Sequence, residues 1–213
     1  MGNYFFIYTN MIFVSIGIQG SGKWTQARLL QEEFGLMLFE SGTALRNIAA
    51  EDSELGHKVK AIIDRGDHVS PAIIEDILKD ILDNKSDGKV IFDGFIRNAG
   101  NKESFDKVVW DYKVLFFDLP KDEAVKRLIG RMYNPKTWET FPSWTETDPK
   151  TWDKLVKRAD DQEEAIMKRI DLFVEKALPV VEECRKAWKV IDINANQPIA
   201  DVYAELKKKL ELN

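Results

Sequence analysis

The sequence predicts an α/β fold, a parallel five-stranded sheet with helices on both faces. Two observations predict it. Short apolar runs alternate with helical patterns along the chain, and such alternation builds a parallel sheet covered by helices. The first run leads through a glycine-rich bend, GIQGSGK (17–23), into a helix, which is the connection that places a ligand at the carboxyl ends of the strands.

Strands are expected at MIFVSI (11–16), LMLF (36–39), KVIFD (89–93), KVLFFD (113–118) and KVIDI (189–193), each a buried apolar run of strand length. The first helix is expected from Thr25 to Phe34, closed by Gly35. Further helices are expected near 53–65, 71–83, 121–132, 160–187 and 198–211. Residues 132–157 break the alternation, being polar and rich in Thr and Pro. Inside them Asn134-Pro-Lys-Thr137-Trp138 returns as Asp148-Pro-Lys-Thr151-Trp152. A stretch this long is usually a functional lid or disordered, and the repeated turn chemistry favours a small folded lobe.

The 213 residues suffice for one sizeable core with small inserted lobes. A single cysteine, Cys184, excludes an intramolecular disulfide and an all-cysteine metal site. It suits a reducing cytosol, so a cytoplasmic protein is expected. The net charge of −5 argues against a nucleic-acid partner. The apolar N-terminus has no basic residue before Lys23 and no clean apolar run of about 20 residues, so neither a signal peptide nor a membrane span is expected. Phe6 breaks the myristoylation pattern. Residues 1–10 read as an N-terminal extension. His57 and His68 have no metal-ligand or triad spacing, and Lys207, Lys208 and Lys209 read as the solvated face of the last helix.

The chemistry concentrates in a few stretches. Gly17, Gly20, Ser21, Gly22, Lys23 and Thr25 follow the first strand and open a helix. Glycines let successive N–H groups form an anion nest, the helix N-terminus adds partial positive charge, and Lys23 adds a full one. Together they suit the β- and γ-phosphates of a nucleotide. Arg127 and Arg131 are four apart and are expected on one helix face. Arg158 and Arg169 are eleven apart, near three turns if one helix runs through both.

GIQGSGKxTQ, DGFxR (93–97) and RADDQEEAIMKRI (158–170) together resemble adenylate kinases of the long-lid type, from Met11 to Leu210. The resemblance implies a P-loop NTPase-like core (11–39, 70–130 and 159–213) with an AMP-binding lobe at 40–69 and a lid at 131–158. It implies the reaction ATP + AMP ⇌ 2 ADP with Mg²⁺, in a monomer. Lys23, Arg97, Arg131, Arg158 and Arg169 would be catalytic. Gly20, Ser21, Gly22, Lys23, Trp24, Thr25, Arg127 and Arg131 would hold ATP. Ser41, Arg46, Val69, Gly94, Arg97, Asn101, Arg158 and Arg169 would hold AMP, and Asp93 would hold waters of Mg²⁺. Asn134, Thr137, Asp148 and Thr151 stand where the family's zinc knuckle has cysteines, so no structural zinc is expected and hydrogen bonds would replace it. Ile96 replaces the usual proline of DGFPR, and Asn101 replaces a glutamine, one methylene longer. Two other readings stand beside this one: a GTP:AMP phosphotransferase, and a non-catalytic nucleotide-binding paralogue made inert by Trp24.

Trp24 stands where these kinases have glycine. Trp110, Trp138, Trp144, Trp152 and Trp188 also fall on turns rather than on a core stripe, although tryptophan normally buries much of its ring. Glycine codons read as tryptophan would give this pattern, since some bacterial lineages translate UGA as glycine whereas other codes translate it as tryptophan; a divergent paralogue and deliberate substitution are the alternative readings. An indole at position 24 is expected to impair ATP binding.

Overall fold

The computed structural model describes residues 11–64, 71–84, 88–137, 139–141, 144–157 and 162–212. The expected N-terminal extension (1–10), His68, Val69, Trp138 and Arg158 lie outside the described residues, as does the side chain of Arg46.

Five strands form one sheet, β1 (Met11–Gly17), β2 (Met37–Glu40), β3 (Lys89–Asp93), β4 (Lys113–Asp118) and β8 (Val190–Asn194), in the order β2-β3-β1-β4-β8. Every pairing is parallel. The central place of β1 brings the glycine-rich bend to the middle of the carboxyl edge, with the ends of β3 and β4 on either side.

Successive strand residues face opposite sides, so each strand feeds two cores. Val14, Val90, Phe92 and Val114 pack under α4 (Pro71–Asn84), α5 (Ala99–Val108) and α8 (Leu178–Lys186) through Leu78, Phe105 and Val181. Phe13, Ile91, Leu115 and Phe117 pack under α1 (Lys23–Phe34), α6 (Lys121–Leu128), α7 (Glu163–Leu172) and α9 (Ile199–Lys209) through Leu30, Leu128, Ile166 and Leu206. Helices therefore cover both faces, as expected. Phe92, Phe95 and Phe105 stack edge to face with centroids 5.1–5.7 Å apart. This packing pins the loop between β3 and α5 that carries Asp93 to Arg97.

Two helices were not expected. α2 (Ser41–Ala50) begins directly at the end of β2, and α5 begins at Ala99, after Asn98. The Asn98 side chain accepts from the Asn101 N–H at 2.9 Å, a helix N-cap. The α5 sequence AGNKESFDKV buries only Ser104 and Phe105, too little to show an apolar period. α3 spans Glu54–Asp64.

Two expected helices are revised. α6 ends at Leu128 rather than 132, because Gly130 takes φ 81° and turns the chain out of the helix. The helix expected over 160–187 begins at Glu163 and passes through a π-helical stretch, Phe173–Ala177, into α8. Residues Met132–Tyr133 (β5), Thr140–Phe141 (β6) and Val156–Lys157 (β7) form a separate antiparallel sheet, order β6-β5-β7. Cys184 is buried and unpaired by disulfide.

Candidate active site

The bend between β1 and α1 is built from positions where a side chain cannot stand. A Cβ on Gly17 would lie 2.7 Å from the Phe117 carbonyl oxygen and 2.8 Å from Ser21 Oγ. Gly20 and Gly22 take φ 86° and 80°, a left-handed backbone that costs other residues about 1–2 kcal/mol. Gly22 begins α1 without a side-chain cap, and the Gln26 N–H is the first to bond back, to Gly22 O at 3.1 Å. The N–H groups of Lys23, Trp24 and Thr25 are thus the orphan donors of a helix start, where an anion is favoured. The Ser21 hydroxyl is buried and has no partner among the described residues.

Lys23 Nζ lies 3.5 Å from the Ile18 carbonyl oxygen, folded back over the bend. Burial pushes its ammonium below the ordinary value; the Asp93 carboxylate opposes that, and the charges of Arg97 and Arg131 push the same way as burial. Four charged groups from β3, the loop after it, the bend and the residue after Gly130 therefore share one field. Asp93 ends β3, only 8% exposed, and accepts from the hydroxyl of Ser15, its register partner on β1.

A second cluster forms around one carbonyl. Gly94 turns at φ 66°, and its oxygen accepts from Ser41 Oγ at 3.1 Å and from Arg97 Nε at 2.7 Å. Asn101 Oδ1 accepts from the Arg97 N–H at 3.2 Å. Ser41, Gly94, Arg97 and Asn101 are thereby joined next to Asp93, on three elements.

Arg127 crosses to the bend, its Nη1 3.5 Å from Gly20 O, while its Nε pairs with Glu123 at 3.3 Å. Arg131 does not share a helical face with Arg127. It lies beyond Gly130, outside α6, and its N–H bonds to Leu128 O; the glycine turn, not helical phase, sets its position. Arg169 lies along α7 with Nε 3.3 Å from Ala165 O. Arg158 lies outside the described residues, and α7, which carries Arg169, begins at Glu163 after an extended Gln162. Trp24 falls inside the first turn of α1 rather than on a loop, half-buried, with the Arg28 guanidinium 5.1 Å from its ring centroid.

The antiparallel sheet carries a polar knot. The Asn134 amide donates to Asp148 Oδ2 at 2.7 Å and to Thr151 Oγ1 at 3.1 Å. Asn134 Oδ1 accepts the Lys136 N–H, and Asp148 Oδ1 accepts the Lys150 N–H, so each repeat closes on its own turn. Asn134 and Asp148 are fully buried. Thr137 joins through its N–H, which donates to Asn134 Oδ1 at 3.4 Å, while its hydroxyl accepts from the Glu139 N–H. Donation by Asn134 holds the Asp148 carboxyl below its ordinary value, helped by the N–H groups of Lys150 and Thr151. Arg28 of α1 reaches Glu139 of this unit at 3.6 Å.

Sequence reasoning missed Ser15 and the Arg28–Glu139 contact. Ser15 had one signal, a lone hydroxyl in an apolar strand. The contact joins residues far apart in the chain and had none.

A glycine bend, a half-buried lysine and gathered guanidinium groups at the carboxyl edge of a parallel sheet define a kinase of the P-loop class. The sequence profile described as Adenylate kinase matches residues 15–189. The adenylate kinase of Streptococcus uberis is 30% identical over 210 residues, covering 94% of this chain and 99% of that protein. Adenylate kinases of Streptococcus pyogenes and of a Hydrogenobaculum species are each 32% identical, covering 94% of this chain and 98% and 100% of theirs. The chain belongs to the adenylate kinase family and is a nucleotide phosphotransferase. No helix among the described residues is long and apolar enough to cross a membrane.

Proposed function

We propose that the chain transfers a phosphoryl group reversibly from ATP to AMP, giving two ADP. The observation that carries this reading is the field around Lys23, which Asp93, Arg97 and Arg131 share. A phosphoryl in flight spreads its charge over its equatorial oxygens, and there is little covalent work for the protein to do. Positioning and charge are what this arrangement offers.

In this reading Gly20, Ser21, Gly22, Lys23, Trp24 and Thr25 present N–H groups and the ammonium to the ATP phosphates, with Arg127 beside them. Arg46 and Arg97 hold the AMP phosphate, where a planar fork matches two oxygens. Ser41, Val69, Gly94 and Asn101 line the AMP site. Lys23, Arg97, Arg131, Arg158 and Arg169 neutralise the transferred group. Residues 11–39, 70–130 and 159–213 form the core, 40–69 the AMP-binding lobe and 131–158 the lid, whose closure over α1 excludes water and so hydrolysis. The Arg28–Glu139 pair supports that placement of the lid.

Mg²⁺ keeps most of its water and needs few carboxylates. Asp93 fits it: one carboxylate, oriented by Ser15, at the carboxyl edge beside Lys23. When bound with ATP, Mg²⁺ would neutralise charge on the β- and γ-oxygens.

A coupled ADP assay with ATP or GTP as donor and AMP, UMP or CMP as acceptor tests the reading. The ATP and AMP pair is expected to be fastest. A faster GTP reaction favours the GTP:AMP phosphotransferase reading. Tight calorimetric binding of a bisubstrate dinucleotide without turnover favours the inert paralogue, for which the indole at position 24 is the specific ground.

A further inference from the structure

We propose that the protein made in its native cells carries glycine, not tryptophan, at positions 24, 110, 138, 144, 152 and 188. The backbone carries the argument. Among the described residues, three that are not glycine take left-handed φ: Trp152 at 61°, Trp188 at 58° and Glu211 at 55°. The other residues there are Gly20, Gly22, Gly35, Gly88, Gly94 and Gly130. A Cβ in this region crowds the following carbonyl oxygen, most of all for a bulky residue. Two of the chain's 6 tryptophans thus occupy a conformation that selects glycine.

The helix end at Trp188 shows the demand directly. The Lys189 N–H bonds to Cys184 O and the Trp188 N–H to Arg185 O, each at 3.0 Å. These are the two bonds of a Schellman closure, with position 188 as its left-handed residue. Gly35 ends α1 in the same backbone region. At Trp152 the N–H closes back on Asp148 O at 2.8 Å, ending the Pro-Lys-Thr turn.

The indoles themselves gain nothing. Trp110, Trp144, Trp152 and Trp188 are 82%, 81%, 80% and 88% exposed, and among the described residues the next most exposed large apolar side chain, Ile199, is at 61%. Tryptophan is chosen for the large surface it buries. A shared docking patch does not explain them. Trp110 and Trp188 lie at the amino ends of β4 and β8, linked through Lys113 and Lys189. Trp144 and Trp152 belong to the unit of the small sheet. A docking role also leaves the left-handed backbone unaccounted for. A single cause acts on all six, a UGA codon that the native cell reads as glycine, and it carries the assignment to positions 24 and 138.

Tandem mass spectrometry of the protein isolated from its native cells tests this. Glycine is expected in every peptide that spans one of the six positions. Tryptophan at 152 or 188, or a UGG codon at either, overturns the proposal. Heterologous chains give a second readout that does not depend on catalysis. Trp152→Gly and Trp188→Gly are each expected to raise Tm by about 2–4 °C; a fall in Tm at both positions overturns it.

Discussion

Ser15 donates its hydroxyl to the Asp93 carboxylate across the β1–β3 pair, where the two residues stand opposite in register. Both are buried, and Asp93 also faces the Lys23 ammonium. The hydroxyl fixes which way the carboxylate points, so Ser15 is a positioning residue. Ser15→Ala is expected to weaken the apparent Mg²⁺ affinity by about tenfold and to leave kcat at saturating Mg²⁺ largely intact. Titrating Mg²⁺ at fixed nucleotide checks it. An equal loss of kcat at all Mg²⁺ levels would contradict the positioning role.

Arg97 uses one N–H on Gly94 O and its backbone N–H on Asn101. Arg97→Lys keeps the charge and loses the fork. The KM for AMP is expected to rise by about tenfold, equivalent to about 1.4 kcal/mol, with the KM for ATP unchanged. Steady-state kinetics with each nucleotide varied separately measures the split.

Gly17 has no room for a methyl group, since its Cβ would meet the Phe117 carbonyl and the Ser21 hydroxyl. Gly17→Ala is expected to cost about 1–3 kcal/mol of stability and to deform the bend. Denaturant unfolding and ATP binding by calorimetry should both register it; unchanged binding would show that the bend tolerates the shift.

Asp148 sits below its ordinary carboxylate value because Asn134 donates to it. A depressed value in the folded state means that the stabilisation is complete above the unfolded value, about 4, and is lost as pH falls through the folded one. Protection of the Lys150 and Thr151 amides is therefore expected to hold from about pH 7 to pH 5 and to fail below about pH 4. Asn134→Ala should loosen the same amides at neutral pH by about 1–3 kcal/mol. Hydrogen exchange resolved by residue measures both.

If Trp24 is present, its indole stands among the first-turn donors, against Arg28. Trp24→Gly is expected to raise kcat/KM for ATP by about tenfold, or about 1.4 kcal/mol. Equal kinetics would show that the ring lies clear of the phosphates.

The central strands β1, β3 and β4 needed little tertiary information, because a strand covered on both faces is apolar at nearly every position; the edge strand β8 buries only Ile193 fully. The glycine bend was equally plain, since its φ angles and its Cβ clash exclude other residues at Gly17, Gly20 and Gly22. α5 was not legible, because it is held by an Asn98 cap and a single phenylalanine rather than by an apolar stripe. The Arg127 and Arg131 pairing was misread because Gly130, which ends the helix, was counted inside it. The tryptophans were anomalous in sequence, but only the φ angles of Trp152 and Trp188 show why.

The sequence by itself determined the sheet, its order of motifs and the phosphate-gripping bend, since these depend on local periodicity and on residues that only one backbone tolerates. The tertiary structure alone decided what meets at the site. Ser15 with Asp93, Ser41 with Gly94, Arg127 with Gly20 and Arg28 with Glu139 are all distant in the chain. Their contacts follow from how parallel strands register and how helices pack across them, which no local pattern encodes.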